Sequence, residues 1–321
     1  NKYRISRVWV VLTALAGGVG AARFLSGLVR AVPPADVVAI VNTADDDEFH
    51  GLHVSPDLDS VTYTLAGASN TAQGWGLEGE SFRVLEALGR YGVDTWFGLG
   101  DLDLATHLFR TQRLGSGAPL STVTAEITAA WGITTRLLPM TDDRVATRIS
   151  VRSPGRDREL AMQEWFVRER ATPEVTAVRF DGAETARPAP GVIAALAEAE
   201  TIVICPSNPV ISIGPILAVP GIRELLVERR DRVVAISPIV GGAPVKGPAD
   251  RLMGPLGIEV SCVGVAQTYA DFCGTLVIDA VDAPRAAAVE AAGMRVVVTD
   301  TIMRSPEVAA ALARETLAAV A

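Results

Sequence analysis

Lysine is nearly absent from this chain. The 321 residues contain only Lys2 and Lys246, although lysine and arginine together number 29. A site that binds phosphate must therefore use arginine, backbone N–H groups, a metal ion or Lys246, the one internal lysine. Acidic residues outnumber basic ones and give a net charge of −8. That balance argues against general nucleic-acid binding, which needs a basic face.

Cysteine is also scarce. Cys205, Cys262 and Cys273 are odd in number, and no two of them form a C-x-x-C pair. This argues against a disulfide framework or a structural zinc site, and it fits a reducing cytoplasm best. We interpret the three residues as small buried hydrophobic side chains.

Long apolar runs are missing as well. Lys2, Arg4 and Arg7 precede an apolar stretch over 8–16, which is similar to a signal peptide. However, this stretch leads through a glycine-rich turn directly into a helical pattern over 21–29, so a strand, a turn and a helix explain it. No uninterrupted apolar run reaches the ~18–20 residues that a membrane span needs. We expect a soluble, cytoplasmic protein without a membrane segment.

Short apolar runs alternate with helical periodicity along most of the chain. Runs typical of strands lie at 8–15, 37–42, 135–138, 146–151, 175–180, 201–205, 232–236, 276–278 and 295–298. Helical spacing is found over 58–66, 80–91, 102–114, 120–131, 210–219, 222–229, 284–292 and 306–320. This alternation predicts an α/β fold with a Rossmann-like parallel sheet and helices on both faces. We expect one domain over 1–321 with a mainly helical insertion, roughly 57–132.

A glycine-rich turn ends the first predicted strand and opens the first predicted helix. Its residues are Gly17, Gly18, Val19 and Gly20. Glycines let the backbone approach a ligand closely, and a helix N-terminus offers free N–H groups to phosphate. The turn is neither a G-x-G-x-x-G fingerprint nor a Walker A loop. Phosphate binding and a tight turn without a ligand both remain open.

An acidic run over 45–48 follows the second predicted strand, and further aspartates begin the next helix. Ligands of parallel sheets bind at the carboxyl ends of the strands. The carboxylates expected to meet at this edge are Asp45, Asp46, Asp57 and Asp59. Such a set suits magnesium, which uses one or two carboxylates and substrate phosphate oxygens. We interpret Asp47 and Glu48 as solvated loop charges, and a helix cap is the alternative for Asp57.

Polar residues elsewhere have a functional and a structural interpretation. His107 and Arg110 are three residues apart on a predicted helix, so they share a face that either contacts an anionic substrate or is simply solvated. Ser207 and Asn208 lie in a Pro-Ser-Asn-Pro turn, and Lys246 lies in a loop rich in glycine and proline. Each of these two loops either holds a nucleotide or is an ordinary turn. His50 and His53 lack a third nitrogen or sulfur ligand nearby, which argues against zinc.

Several motifs occur in the order found in one family. They are the turn at 17–25, Asn42-Thr43-Ala44-Asp45-Asp46, Ser55-Pro56-Asp57-Leu58-Asp59, the stretch 100–107, Leu138-Pro139-Met140-Thr141-Asp142-Asp143, the stretch 206–214 and Ser237-Pro238-Ile239. With these motifs the chain resembles the 2-phospho-L-lactate transferases of coenzyme F420 biosynthesis, the CofD/FbiA family, over about 10–320.

The resemblance implies a reaction. Such enzymes take a three-carbon acid linked to guanosine diphosphate, transfer the phospho-acid to the terminal ribityl hydroxyl of the deazaflavin Fo, and release GMP with the help of Mg2+. The transferred group is 2-phospho-L-lactate, phosphoenolpyruvate or a phosphoglyceryl group, and no residue here indicates which. The resemblance also implies a homodimer. A non-catalytic regulator of the same fold that binds nucleotide-sugars is the alternative, but such regulators lack the S-P-D-L-D motif. A nicotinamide-dependent dehydrogenase is disfavoured because G-x-G-x-x-G is absent.

The resemblance and the residue chemistry together give the expected roles. Asp59, the second aspartate of S-P-D-L-D, is expected to contact Fo and to orient or deprotonate its hydroxyl, with Asp46 as a second catalytic residue. The expected metal ligands are Asp45, Asp46 and Asp57. Further contacts to Fo are expected from Asn42, Thr43, His107 and Arg110. The nucleotide is expected to contact Gly17, Gly18, Val19, Gly20, Ser207, Asn208 and Lys246. Asp47 and Glu48 are expected to be dispensable.

Overall fold

The computed structural model describes residues 12–153, 155 and 157–320. Its strands are β1 (Leu12–Ala16), β2 (Val37–Val41), β3 (Asp47–Phe49), β4 (Leu52–Val54), β5 (Arg136–Pro139), β6 (Ala146–Val151), β7 (Arg158–Ala161), β8 (Val175–Asp181), β9 (Thr201–Ile204), β10 (Val233–Ile236), β11 (Ile239–Val240), β12 (Ala243–Pro244), β13 (Thr275–Asp279) and β14 (Arg295–Thr299). The part of the first predicted strand over 8–11 lies outside the described residues.

The α-helices are α1 (Gly18–Ala31), α2 (Pro56–Leu65), α3 (Arg83–Gly89), α4 (Asp103–Gly115), α5 (Leu120–Ala130), α6 (Val192–Glu198), α7 (Gly214–Ala218), α8 (Ile222–Glu228), α9 (Ala249–Met253), α10 (Cys262–Tyr269), α11 (Ala286–Ala291) and α12 (Pro306–Ala318). A π-helical turn over Pro209–Ile213 runs directly into α7, so the predicted helix over 210–219 is found in two parts. The sequence pattern missed α6, α9 and α10.

Seven parallel strands form the central sheet, in the order β14-β13-β10-β9-β1-β2-β5. From β1 the chain first extends the sheet in one direction through β2 and β5. It then returns to add β9, β10, β13 and β14 on the other side. The order therefore reverses between β1 and β9, and a crevice opens outside the carboxyl ends of strands at such a point. The predicted α/β fold with a Rossmann-like sheet is confirmed.

Helices cover both faces of this sheet. Alternate strand residues, such as Leu15 and Ile204, point into a core that α6, α7, α8, α10 and α11 close. The residues between them, such as Ala14 and Val203, point into a second core that α1, α2 and α12 close. Strands buried on both faces are continuous apolar runs, and for this reason the sequence pattern located them well.

The chain between β2 and β5 holds the hairpin β3–β4 and the four helices α2 to α5. The hairpin was not predicted, because its strands are only three residues long and its turn lies at His50 and Gly51, both with positive φ.

The strands β6, β7 and β8 form a separate antiparallel sheet. Two of the predicted strands, 146–151 and 175–180, therefore belong to this small sheet and not to the parallel one.

No single helix in the described parts of the chain is long and apolar enough to cross a bilayer. A bent pair, Pro209–Ala218 with Ile222–Glu228, has the length and composition for a span, with 95° between its two parts. Several of its side chains, including Ile216 and Leu226, are fully buried in the core of the sheet.

Candidate active site

A cavity of about 590 Å³ lies at the point where the strand order reverses. Loops that leave the carboxyl ends of β1, β2, β9 and β10 contribute to its walls, as do helices α2 and α4. The cavity brings together most of the residues predicted from the sequence: Gly17, Gly18, Val19, Gly20, Asp45, Asp57, Asp59, His107, Ser207, Asn208 and Lys246.

The glycine turn is built so tightly that a side chain does not fit. A Cβ atom at Gly17 would lie 2.6 Å from the Cβ of Ser212 and 3.0 Å from Oδ2 of Asp57. Gly18 has φ +72°, a backbone conformation that glycine adopts at little cost. The N–H of Gly17 donates to Oγ of Ser207 at 3.3 Å, which ties the end of β1 to the loop after β9.

The side chain of Asn42 joins two carboxylates at the end of β2. Its Nδ2 donates to Oδ2 of Asp45 at 3.1 Å and to Oδ2 of Asp57 at 2.9 Å. Asn42 is fully buried and does not line the cavity, and neither does Thr43. Asp45 and Asp57 do line it. The amide of Asn42 therefore positions the two acids, although we predicted it to contact Fo.

Burial makes the ionised form of both the Asp45 and the Asp57 carboxyl group unfavourable. Burial, followed by the charge of Asp57, raises the pKa of Asp45 well above its ordinary value. Burial also raises the pKa of Asp57 from its ordinary 3.8 to about 6, and the charges of Asp46 and Asp59 contribute to the rise. A cation bound between Asp45 and Asp57 would favour both ionised forms. Two carboxylates facing a cavity wide enough for a phosphorylated ligand suit magnesium.

Asp46 lies on the opposite side of the acidic run and does not line the large cavity. Its Oδ2 accepts a hydrogen bond from Oγ of Ser55 at 2.6 Å and lies 3.2 Å from Nε2 of His53. Burial raises its pKa. Asp46 thus does not face the large cavity together with Asp45 and Asp57, with which we grouped it as a metal ligand.

Asp59 and Arg110 form a buried ion pair between α2 and α4. The Nη1 atom of Arg110 donates to Oδ2 of Asp59 at 3.1 Å, and Nη2 donates to Oδ1. Nη1 also lies 3.3 Å from Nδ1 of His107. The predicted acceptor-binding residues Asp59, His107 and Arg110 are therefore in mutual contact, and Asp59 and His107 reach the cavity wall.

Two residues that the sequence analysis missed extend this group. Nε2 of His107 lies 3.1 Å from Oδ2 of Asp103, and the hydroxyl of Tyr63 donates to Oδ1 of Asp103 at 2.5 Å. Burial tends to raise the pKa of Asp103, but the hydrogen bond and charge of His107 bring it below its ordinary value. The i,i+4 spacing of Asp103 and His107 was a signal for this contact.

Oxygen and nitrogen atoms of Asp59, Asp103 and His107 lie within 4.8 Å of one another, close enough to share a metal ion. Arg110, however, already occupies both oxygens of Asp59 with a positive charge. We therefore interpret this group as an ion-pair network.

The cavity lining also carries hydrogen-bond donors and positive charge. Asn208 caps the π-helical turn through Oδ1, which accepts from the N–H of Val210 at 2.9 Å. Its Nδ2 has no hydrogen-bond partner among the described residues. Nζ of Lys246 donates to the carbonyl of Gly74 at 3.2 Å, and burial and then the nearby charge of Arg23 lower its pKa. Arg23, on α1, also lines the cavity and was not predicted.

Part of the cavity wall is apolar. It consists of Val54, Trp75, Phe97, Met162 and Phe166. Trp75 and Phe166 are 44% and 37% exposed, so flat aromatic surfaces are available to a ligand. No sequence motif predicted this wall, because its members come from four separate segments of the chain.

Matches to a family model and to known sequences add to the evidence from the geometry of the site. The family model described as "2-phospho-L-lactate transferase CofD" matches residues 12–316. A protein of Streptomyces griseus named phosphoenolpyruvate transferase is 50% identical over 310 residues, 95% of this chain and 97% of that protein. A protein of Thermobifida fusca with the same name is 44% identical over 312 residues, 94% of this chain and 95% of that protein.

Structure comparison agrees at the level of the fold. The crystal structure of a UPF0052 family member from Bacillus halodurans has a TM-score of 0.62 at 18% identity, and the match covers 95% of this chain and 98% of that one. At this identity the likeness concerns the fold alone. The family inferred from the sequence motifs is confirmed by the family model, whose match spans nearly the whole chain. The chain belongs to the 2-phospho-L-lactate transferase CofD family.

Proposed function

We propose that the protein transfers a phospho-three-carbon acid from a donor linked to guanosine diphosphate to the terminal ribityl hydroxyl of Fo, with release of GMP, in coenzyme F420 biosynthesis. The observation that carries the proposal is the cavity at the strand-order reversal, whose lining combines an acidic pair, hydrogen-bond donors with positive charge, and aromatic rings. Among the possible donors we favour the phosphoenolpyruvyl type, because relatives up to 50% identical are named phosphoenolpyruvate transferase.

The donor wall suits the nucleotide part. The turn at Gly17 to Gly20 opens α1 toward the cavity, and a helix N-terminus favours phosphate. Asn208 lines the same space, and its buried Nδ2 has no hydrogen-bond partner among the described residues, so we assign it as a donor to the nucleotide. Arg23 and Lys246 face the same space and form no ion pair within the described parts of the chain, so their charge is available to a diphosphate.

The aromatic wall suits the acceptor. A deazaflavin ring is flat and apolar on its faces, and Trp75 and Phe166 offer rings for stacking. The ribityl chain would then extend toward Asp59 and His107. Because Arg110 holds both oxygens of Asp59, we favour the orienting role of this carboxylate over proton removal.

Magnesium fits the carboxylates of Asp45 and Asp57, which face the cavity side by side and carry unfavourable buried charge. When bound, the ion would neutralise phosphate oxygens of the donor. Asn42 holds the two carboxylates in place. Asp46 does not line the large cavity with these two carboxylates.

The reaction needs one bond to form and one to break. The terminal hydroxyl oxygen of Fo bonds to the phosphorus that carries the three-carbon acid. The bond from that phosphorus to the oxygen shared with GMP breaks, and the hydroxyl proton leaves to water or to GMP. Such a transfer depends on alignment and on charge neutralisation more than on covalent help from the protein. The polar and the aromatic parts of the cavity lining would supply the alignment.

The test is direct. The purified protein is incubated with Fo, Mg2+ and each of the phosphoenolpyruvyl, phospholactyl and phosphoglyceryl donors, and GMP and phosphorylated deazaflavin are separated by chromatography. We expect turnover with the phosphoenolpyruvyl donor and loss of turnover in EDTA. Absence of turnover with all three donors, from folded protein, would refute the transferase. Activity that EDTA leaves unchanged would refute the metal.

A pair of variants tests the assignment of Asp59. Asp59→Asn should weaken Fo binding, whereas Asp47→Asn, the same change in the acidic run, should not. Asp47 lies in β3, not in a loop as we predicted; it is only partly buried, and its Oδ1 accepts from the N–H of Glu48. Equal Fo affinity in the two variants would remove Asp59 from the acceptor site. Light scattering of the same samples tests the expected homodimer.

A further inference from the structure

A series of buried polar contacts links Tyr63 to Asp59 along the large cavity. The hydroxyl of Tyr63 donates to Oδ1 of Asp103, and Nε2 of His107 lies 3.1 Å from the other oxygen of that carboxylate. Nδ1 of His107 lies 3.3 Å from Nη1 of Arg110, which also donates to Asp59. All five residues are less than a tenth exposed. Asp103 is thus connected, through His107 and Arg110, to the carboxylate proposed to orient the acceptor.

The neighbours of His107 select one form of its ring. A guanidinium N–H can only donate, so Nδ1, which faces Nη1 of Arg110, must carry a lone pair. In a neutral imidazole the proton then lies on Nε2. Nε2 faces Oδ2 of Asp103, and an ionised carboxylate can only accept. Apart from this contact Nε2 has no partner in the described parts of the chain. Arg110 and Asp103 therefore favour the same tautomer, with the proton on Nε2.

Asp103 is held in place and is ionised. Its N–H donates to Oε2 of Glu80 at 3.1 Å, which fixes the start of α4. Burial and then nearby carboxylates raise the pKa of Tyr63, so this phenol keeps its proton and donates to Asp103. Burial tends to raise the pKa of Asp103 as well, but the contacts of His107 and Tyr63 bring it below its ordinary value. Asp103 therefore has one oxygen engaged by Tyr63 and presents the other, with its negative charge, to Nε2 of His107.

We propose that Asp103 is a positioning residue of the acceptor site, which holds His107 in the Nε2–H tautomer. Nδ1 then remains an acceptor for Arg110, and the guanidinium stays on both oxygens of Asp59. With the proton on Nδ1, His107 would turn an N–H toward Arg110 and displace the guanidinium from Asp59. His107 acts on the acceptor through Arg110, since both of its nitrogens already face protein groups. This role rests on the proposed function, in which Asp59 orients the acceptor.

The competing interpretation is that the network only holds two helices together. Tyr63 and Asp59 lie on α2, whereas Asp103, His107 and Arg110 lie on α4. A network with this role alone would lose stability on substitution. It would not require a particular tautomer, and its loss would not affect one substrate more than the other. The tautomer of His107 and the affinity for Fo therefore separate the two interpretations, whereas a thermal midpoint does not.

Nitrogen-15 NMR of the histidine-labelled full chain, without substrates, reads the tautomer directly. The sequence has three histidines, so the spectrum of His107→Asn identifies the His107 signals. The measurement is made at about pH 8, above the ordinary pKa of histidine. We expect a protonated Nε2 and an unprotonated Nδ1 in the wild type, and the other tautomer or a mixture in Asp103→Asn. A protonated Nδ1 in the wild type, or an unchanged ring in Asp103→Asn, would overturn the proposal.

Calorimetric titration with Fo tests the link to the acceptor. Asp103→Asn should weaken Fo binding at least about tenfold, the effect of losing one hydrogen bond to a charged group. Asp101→Asn is the matched control, because Asp101 precedes the same helix, accepts from the N–H of Val84 at 3.0 Å and does not line the cavity. It should leave the His107 signals and the Fo affinity as in the wild type, whatever its effect on the thermal midpoint.

The binding results have distinct consequences. Weaker Fo binding in Asp103→Asn together with wild-type binding in Asp101→Asn supports the positioning role. Equal Fo affinity in the wild type and Asp103→Asn, equal loss in the two variants, or no Fo binding by the wild type would overturn it. Turnover is not read in either measurement. A wild type that binds Fo but transfers nothing to it would refute the proposed function and leave the role of Asp103 in acceptor binding standing.

Discussion

Removal of the Arg110 guanidinium should destabilise the fold more than any surface charge change. Arg110 and Asp59 have side chains only 2% and 8% exposed, and they are joined by two hydrogen bonds. Arg110→Leu leaves the Asp59 carboxylate buried without its counter-charge. Breaking one side of a buried pair in this way costs about 3–5 kcal/mol. For a chain of this size, that corresponds to a fall in Tm of about 4–8 °C.

Calorimetry and urea unfolding measure this loss. The control is Arg113→Leu on the same helix, since Arg113 forms an equally bidentate pair with Glu126 in which both side chains are 36% exposed. Solvent screens that pair, so its Tm should change by less than about 2 °C. Adding Asp59→Leu to Arg110→Leu should restore part of the stability, because the uncompensated charge is then gone. If Arg110→Leu costs no more than Arg113→Leu, our view of the network as a buried ion pair is wrong.

Three further predictions concern the walls of the large cavity. Gly17→Ala should destabilise the protein by about 1–3 kcal/mol and reduce turnover, because its Cβ would lie 2.6 Å from that of Ser212; a stability curve and an activity assay check this. The stability of the metal-free protein should fall as pH rises from about 4 to 6, because the pKa of Asp57 is raised from 3.8 to about 6 and the unfolded chain loses this proton first. Asp57→Asn should flatten that part of the pH curve. Lys246→Met should raise the KM of the donor about tenfold without changing that of Fo, since a cation that lines the cavity and contacts the loop at Gly74 is lost.

The sequence predicted the central sheet well because its strands are buried on both faces. Continuous apolar runs such as those of β2 and β9 cannot be confused with surface strands. The short strands β3 and β4 and the helix α10 carry no such signal, and tertiary packing defines them. The strands β6 and β8 were located correctly, but residue pattern alone does not reveal that they pair in a second sheet.

The site was predicted where a motif follows a strand and missed where the contact is made by tertiary structure. Asp45, Asp57 and Asp59 were identified because ligands gather at the carboxyl ends of strands. Trp75 and Phe166 line the cavity because of the tertiary structure of the chain between β2 and β5 and of the segment after β7, and no local motif indicates this. The opposite orientation of Asp46 depends on Ser55 and His53, and its direction cannot be read from four consecutive acidic residues.

The spacing of Asp57 and Asp59 directs their carboxylates to different parts of the cavity, and variants can test their roles separately. Both lie in the first turn of α2, with Leu58 buried in the core between them. Residues two apart on a helix differ in direction by about 200°. Asp57 accordingly faces Asn42 and the glycine turn, whereas Asp59 faces Arg110 on α4. One helical turn thus presents one carboxylate to each proposed substrate.

Asp57→Asn should therefore raise the Mg2+ concentration and the donor concentration needed for half-maximal turnover, with the KM of Fo unchanged. Asp59→Asn should raise the KM of Fo and leave the requirement for Mg2+ unchanged. Both changes keep the shape of the side chain, but Asp59→Asn also leaves Arg110 without its counter-charge and should lower the thermal midpoint. The kinetics are therefore measured well below the thermal midpoint of each variant. Steady-state kinetics with one substrate varied at a time separates the two effects. If both variants shift the same constant, the carboxylates act on one substrate, and the division of the cavity into a donor side and an acceptor side fails.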